Sequence, residues 1–255
     1  MIDSVVRLAE EAGRAILGVY SAGPMEVRSK EDLSPLTLAD TASHRILVEG
    51  LKLLRPEWPV LSEESRSVPY AERKTWQTYW LVDPLDGTKE FIKKNGEFTV
   101  NIALMRKDEP ILGVVHAPSR GVTYFAERGK GAFKKEPSGR TGPIRVRRTQ
   151  EKWKVVVSRS HAGDELERFL EHIGPFESVS VGSALKLCLV AEGQAHFYPR
   201  FWPSMEWDIA AGQCVVLEAG GSVCDREGRT LSYNKQELVN PHFLASAFEK
   251  GSFPW

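Results

Sequence analysis

The groups in this chain most suited to chemistry are concentrated in nine residues, Trp80-Leu81-Val82-Asp83-Pro84-Leu85-Asp86-Gly87-Thr88. An apolar run that predicts a buried strand stops at Asp83, and a proline, a second carboxylate, a glycine and a threonine follow. Pro84 fixes its own φ and biases Val82-Asp83 towards extended geometry, while Gly87 permits a turn that other residues resist. Such a strand end can aim Asp83, Asp86 and the Leu85 carbonyl at one point, and oxygen donors of these kinds suit hard cations such as Mg²⁺. A capped turn between a strand and a helix would use the same residue types.

Three further acidic positions pose the same choice. Glu63-Glu64 follows the short apolar pair Val60-Leu61. If that strand lies beside the one ending at Asp83, a carboxylate there reaches the same point; otherwise it is a solvated loop charge. Asp208 opens Trp207-Asp208-Ile209-Ala210-Ala211-Gly212, the first turn of an Ala-rich helix. The dipole favours a negative group there, and the unpaired N–H groups can equally receive a phosphate. Asp40 stands at the mouth of another predicted helix, where an N-cap is the plain reading.

The elements that must position these groups follow from periodicity. Val5, Leu8, Ala9, Ala12, Ile16 and Val19 predict an amphipathic helix over residues 2–20, ended by Gly23-Pro24. Ile46, Leu47, Leu51 and Leu54 predict a second helix that stops before Pro56. Phe98 to Leu104, Ile111 to Ala117 and Val122 to Ala126 read as strands, the first two joined by the short turn Lys107-Asp108-Glu109-Pro110. Turns too short to hold a helix imply an antiparallel meander. Lys134 to Gln150, charged and rich in Pro and Gly, reads as a junction near residue 145. Beyond it strands (Lys154–Val157, near Val179–Val181, Ala195–Tyr198, near Phe243–Ser246) alternate with helices (Asp164–His172, Ser183–Ala191, Trp207–Ala219). That alternation predicts a parallel or mixed sheet covered by helices. The expectation is therefore an α+β domain over residues 1–145 carrying most of the candidate ligands, and an α/β domain over 146–255 carrying Asp208.

Composition excludes several classes. The 34 basic and 34 acidic residues of this 255-residue chain cancel, so no charge excess announces a nucleic-acid or membrane partner. No apolar run approaches the roughly 20 residues that a membrane-spanning helix needs. The start, Met1-Ile2-Asp3-Ser4, lacks a basic n-region, so no secretory signal is expected. Cys188, Cys214 and Cys224 are an odd number without metal-ligand spacing, which predicts reduced thiols in a cytoplasmic protein. The six histidines include no HExxH-like pair, which argues against a zinc enzyme.

Glu63-Glu64, Asp83-Pro84-Leu85-Asp86-Gly87-Thr88 and Trp207-Asp208-Ile209-Ala210-Ala211-Gly212, in this order and rough spacing, resemble the signatures of the inositol monophosphatase superfamily. Its members are Mg²⁺-dependent, lithium-sensitive phosphomonoesterases. The run Gly87-Thr88-Lys89-Glu90-Phe91, the stretch Asn95-Gly96-Glu97-Phe98-Thr99-Val100-Asn101-Ile102-Ala103-Leu104, Ser158-Arg159-Ser160-His161 and Gly182-Ser183-Ala184-Leu185-Lys186-Leu187-Cys188 are similar to its 3′(2′),5′-bisphosphate nucleotidase branch, the CysQ type. The resemblance implies a layered α-β-α-β-α sandwich. It also implies that Glu63, Asp83 and the Leu85 carbonyl hold a first Mg²⁺ and that Asp83, Asp86 and Asp208 hold a second, two or three ions in all. Thr88 and Asp40 become the pair that activates the attacking water, because Thr37-Leu38-Ala39-Asp40 matches the family's T-x-x-D; this displaces the N-cap reading. The chemistry is coherent independently. Carboxylates about 4 Å apart repel by roughly 4 kcal/mol per pair at an effective dielectric of about 20, so such a cluster is tolerable mainly around cations.

The ester is suggested by two departures from the inositol phosphatases, which usually continue Gly-Thr-Thr-Asn and carry an acidic residue shortly before Trp-Asp. Here Lys89-Glu90 follows Thr88, and Arg200 stands where the carboxylate would be. A guanidinium binds phosphate in bidentate fashion, so Arg200 favours a substrate with a second phosphate, such as adenosine 3′,5′-bisphosphate. By resemblance, Asp86, Gly87, Thr88, His161, Ser183, Lys186 and Asp208 complete the substrate contacts. The expected activity is hydrolysis of the 3′-phosphate, with the sulfated relative as a second substrate, in support of sulfate assimilation. An inositol or sugar phosphatase and a non-catalytic metal- or nucleotide-binding regulator stand as rivals. Some members of the family associate peripherally with the inner membrane; the residues decide neither that nor the oligomeric state.

Overall fold

The computed structural model describes residues 1–21, 27–29, 35–65, 68–149, 152–157 and 163–250. The chain begins with α1 (Ile2–Ser21), the strand pair β1 (Val27–Ser29) and β2 (Pro35–Thr37), and α2 (Leu38–Leu54). Next come β3 (Val60–Ser62), α3 (Tyr70–Arg73), β4 (Thr78–Asp86), α4 (Thr88–Ile92), β5 (Thr99–Arg106), β6 (Glu109–Ala117), β7 (Val122–Glu127), β8 (Ala132–Lys135) and β9 (Thr141–Ile144). The remainder is β10 (Trp153–Val156), α5 (Asp164–Ile173), β11 (Phe176–Val179), α6 (Leu185–Ala191), β12 (Phe197–Arg200), α7 (Glu206–Glu218), β13 (Ser222–Asp225) and β14 (Phe243–Ser246). Strands β3 to β9 form one sheet in sequence order, and a second sheet runs β11-β10-β12-β14-β13.

These elements stack in the expected α-β-α-β-α order. One core packs α1 and α2 on the first sheet through residues such as Ile16, Leu47, Trp80, Val100 and Ile102. A second core fills the space between the sheets around α6 and α7, joining Leu81, Val115, Leu187, Val215 and Ala245. A third, with Val155, Phe169 and Phe197, seats α5 on the outer face of the second sheet. Each fully buried large side chain contributes roughly 1.5–3 kcal/mol. The shared middle layer is what brings β4 of the first sheet opposite α7.

Several expectations need correction. The strand does not stop at Asp83; β4 continues to Asp86 with a register shift between Asp83 and Asp86. The first sheet is not wholly antiparallel, because β3 runs parallel to β4. The turn after β5 is confined to Lys107-Asp108, with Lys107 at φ 55°, and Glu109 and Pro110 belong to β6. The polar stretch from Lys134 holds the β8–β9 hairpin rather than only a junction. Strand β11 lies earlier than expected, β12 later, and β1, β2 and β13 had no sequence prediction. The predicted helix stop at Gly23-Pro24 lies outside the described residues. Among the described residues, no helix is long and apolar enough to cross a membrane. All three cysteines are reduced and buried.

Candidate active site

Strand periodicity explains where Asp83 points. Trp80 and Val82 enter the core beneath α1 and α2, whereas Tyr79 and Leu81 enter the core around α6 and α7. Asp83 is next on that second face and is 1% exposed, with the Leu85 N–H donating to its Oδ1 at 3.0 Å. Ser43 of α2 donates to the Pro84 carbonyl at 2.6 Å and ties the strand end to the helix. Asp83 pairs with Asn101 and Asp86 with Thr99, so β4 carries one residue more than β5 across this interval. A bulge of this kind re-aims the side chains beyond it. Asp86 Oδ2 accepts from the Ala184 N–H at 2.6 Å and from Thr99 Oγ1 and Asn101 Nδ2 at 3.4 Å each. Gly87, at φ 91°, turns the chain into α4, and Thr88 Oγ1 reaches back to the Leu85 carbonyl at 3.4 Å.

Three more elements bring carboxylates to Asp83. The Glu63 N–H donates to the Val82 carbonyl at 3.1 Å, because β3 runs beside β4. In α2, Asp40, Ser43, Leu47 and Leu51 form one buried stripe, and the polar end of that stripe meets the β4 turn. Asp40 lies inside the first turn rather than at the cap, because the helix already begins at Leu38. Asp208 is the third residue of α7, and its Oδ2 accepts from the Met205 N–H at 2.9 Å. The capping role is therefore real for one of its oxygens. Helix α7 can sit this close to the sheet because β6 carries Gly113, where a Cβ would lie 2.3 Å from the Ala211 carbonyl oxygen.

The electrostatics single out Asp83. Burial, then the charges of Glu63, Asp86, Asp208 and Asp40, all push its carboxyl well above the ordinary range. Burial also raises Asp86, against the opposing pull of Lys186, the Ala184 N–H, Asn101 and Arg200. Asp208 is pushed up to about 7 by burial and by Asp86, opposed by the Met205 N–H, Arg200 and Lys186. Among the described residues no three Asp, Glu, His or Cys side chains converge closely enough to coordinate one ion as they stand. Around Asp83, burial and the four neighbouring carboxylates all disfavour its ionised form, and a cation would relieve each of them. The donor set fits Mg²⁺, an ion that retains waters and needs only a few protein oxygens.

A pH dependence follows. A carboxyl whose folded pKa lies above its unfolded value costs stability as pH rises from the unfolded value to the folded one. The metal-free protein should therefore lose stability between about pH 4 and pH 7 through Asp208. Cations bind the ionised form. The rise in Tm caused by Mg²⁺ should accordingly be larger at pH 8 than at pH 6 in calorimetry, and equal rises at the two pH values would contradict the cluster's role.

Opposite the carboxylates lies the turn into α6. Ser183 is 8% exposed, adopts φ 52°, and its Oγ is buried without a hydrogen-bond partner among the described residues. Lys186 Nζ donates to the Ser183 carbonyl at 3.0 Å. At the end of β12, Arg200 donates from Nε to the Trp202 carbonyl at 3.1 Å and from Nη2 to that of Pro203 at 2.9 Å. Burial opposes its charge, but Tyr198, Asp208 and Asp86 outweigh that and hold the guanidinium above its ordinary value. Mutual electrostatic influence links Asp40, Glu63, Asp83, Asp86, Asp208, Lys186 and Arg200, and hydrogen bonds and the Gly87 turn set Leu85, Thr88 and Ser183 beside them, whereas His161 lies outside the described residues. Sequence reasoning missed Thr99, Asn101 and the Ala184 N–H as holders of Asp86. A signal existed for the first two: in Glu97-Phe98-Thr99-Val100-Asn101-Ile102 the polar residues alternate with apolar ones, yet all six are buried.

Comparison with known proteins gives the family and the fold. The model of the inositol monophosphatase family matches residues 1–251. The 3′(2′),5′-bisphosphate nucleotidase CysQ of Salmonella typhimurium is 50% identical over 97% of this chain and 100% of its own length. Its namesake from Escherichia coli K12 is 51% identical with the same coverage. The crystal structure of CysQ from Bacteroides thetaiotaomicron superposes with a TM-score of 0.86 at 39% identity, covering 98% of this chain and 97% of that one. Matched by the family's model over residues 1–251 and by relatives at about 50% identity over nearly its whole length, the chain belongs to the inositol monophosphatase family.

Proposed function

We propose that this protein is a Mg²⁺-dependent phosphomonoesterase that removes the 3′-phosphate of adenosine 3′,5′-bisphosphate to give AMP and phosphate. The sulfated relative of that nucleotide is a second substrate, and clearing both supports sulfate assimilation. One observation carries the choice of ester: Lys186 and Arg200 both act on Asp86 and Asp208, so two cationic side chains stand near those carboxylates. A substrate with a second phosphate uses them; an inositol monophosphate does not.

In this reading Glu63, Asp83 and the Leu85 carbonyl would hold one Mg²⁺, and Asp83, Asp86 and Asp208 another, with two or three ions per site. When bound, the ions supply positive charge to the phosphate oxygens and acidify the attacking water. Asp40 and Thr88 orient that water and take its proton. The water oxygen bonds to the 3′-phosphorus as the bond from phosphorus to the ribose oxygen breaks; the ribose oxygen leaves with the bonding pair and takes a proton from solvent to become the 3′-hydroxyl, and little covalent work is left to the protein. Arg200, Lys186 and Ser183 hold the 5′ end of the nucleotide, with His161 contributing to the same contact. The chain divides near residue 145 into a half bearing most metal ligands and a half bearing most substrate contacts. Phosphate release from adenosine 3′,5′-bisphosphate and from inositol 1-phosphate, compared at equal concentrations, should favour the nucleotide by at least about 10²-fold in kcat/KM, the scale of charge-assisted bonds to one phosphate. A preference for inositol 1-phosphate would overturn the choice of ester.

A further inference from the structure

The Glu97 carboxylate is buried at 8% exposure, and its Oε2 accepts the N–H of Gly182, a residue 85 positions away, at 2.9 Å. The approach is close: a Cβ on Gly182 would lie 2.8 Å from the Glu97 carbonyl oxygen and 2.7 Å from Glu90 Cγ. Glu97 is itself held by a local turn. Gly96 adopts φ 73°, and the Glu97 N–H donates to Asn95 Oδ1 at 3.0 Å. The residue after Gly182 is Ser183, which is non-glycine yet adopts φ 52°, and the next N–H, that of Ala184, grips Asp86 Oδ2 at 2.6 Å. Left-handed backbone at a non-glycine residue persists only where its surroundings impose it.

We propose that Glu97 is a positioning residue for the phosphatase reaction. Its carboxylate fixes the Gly182-Ser183-Ala184 turn and, through the Ala184 N–H, the orientation of Asp86. It acts through that turn rather than on the reacting atoms. Thr99 and Asn101 alternate on one face of β5, and Glu97 stands two residues before that strand, so one stretch of chain holds Asp86 directly through Thr99 and Asn101 and indirectly through Glu97 and the turn. The inference rests on reading this cleft as a phosphatase centre.

The requirement is an acceptor of the right length. Arg120 Nη2 lies 3.6 Å from Glu97 Oε1, but Arg120 is 44% exposed, and such pairs contribute little. Glu97→Gln retains an oxygen at the same distance. Glu97→Asp keeps the charge but is one methylene too short, and Glu97→Ala removes the acceptor. With purified full-length protein, Glu97→Ala and Glu97→Asp should each lower kcat/KM on adenosine 3′,5′-bisphosphate by about 10–100-fold, the usual scale for groups that orient a ligand. The Mg²⁺ concentration for half-maximal rate should rise with KM, and Glu97→Gln should stay within about threefold of wild type. Amide exchange at residues 182–184, followed without substrate, should be faster in the Asp and Ala variants than in wild type and Gln. A lower Tm with unchanged KM and Mg²⁺ requirement, or a Gln variant as impaired as Asp, would overturn the proposal. Should the Ala variant fail to fold, the comparison of Asp with Gln decides alone. If wild type does not hydrolyse the nucleotide at all, the functional reading falls, and amide exchange still decides whether Glu97 holds the turn.

Discussion

Asp86→Asn is expected to lower turnover by on the order of 10³-fold or more while leaving the fold intact. Asparagine has the same shape and keeps an oxygen to accept from the Ala184 N–H, Thr99 and Asn101, so the surrounding turn need not move. What it removes is one negative charge from a buried group that burial has already pushed towards the neutral form. The metal-free Tm should therefore be unchanged or higher, while the enzyme loses a ligand and part of the field that balances the phosphate. Loss of activity with retained or gained stability is the expected signature of a functional charge held at a cost to the fold. Equal turnover in variant and wild type would remove Asp86 from the site.

The second large effect is at Arg200. Arg200→Ala should raise KM for adenosine 3′,5′-bisphosphate by about 10–100-fold, the worth of one or two charge-assisted hydrogen bonds. The rise for a 3′-monophosphate should be only a few-fold, because that substrate has no second phosphate to lose. Two donors of the guanidinium are already committed to the Trp202 and Pro203 carbonyls, which fix its plane and reduce the freedom lost on binding. The variant also frees the chain after β12, so Arg200→Lys is the useful companion: it keeps the charge, loses the fork, and should recover only part of the affinity. An equal rise in KM for both substrates would remove Arg200 from the second-phosphate contact.

Much of this site was legible because the chemistry sits where periodicity breaks. The run from Trp80 to Val82 is apolar on both faces, as a strand buried on both sides must be, so Asp83 stands out. The bulge was not legible. Pro84 signals a departure from regular pairing, but only the pairing with Thr99 and Asn101 reveals that one extra residue rotates Asp86 towards Ala184. Asp40 was ambiguous for a physical reason, since cap and catalytic carboxylate share residue type and position; its place inside α2, burial at 3% and influence on Asp83 speak against a plain cap. Asp208 does cap its helix through one oxygen, and its influence on Asp83 is what the capping role leaves unexplained. The β8–β9 hairpin escaped notice because β9 alternates half-exposed and exposed residues at a sheet edge and offers no apolar pattern. Contacts such as Glu97 with Gly182 join residues 85 apart and leave no trace in local spacing, although buried polar residues alternating through Glu97, Thr99 and Asn101 mark the face on which to look.

The central claim is that the site around Asp83 breaks the 3′ ester of a nucleotide whose 5′-phosphate it holds. The most direct test is to incubate the purified protein with adenosine 3′,5′-bisphosphate and Mg²⁺ and identify the products by ³¹P NMR. The account predicts inorganic phosphate and adenosine 5′-monophosphate in equal amounts, with no reaction when Mg²⁺ is chelated. Adenosine 3′-monophosphate as the product, or turnover that persists without a divalent cation, would contradict it.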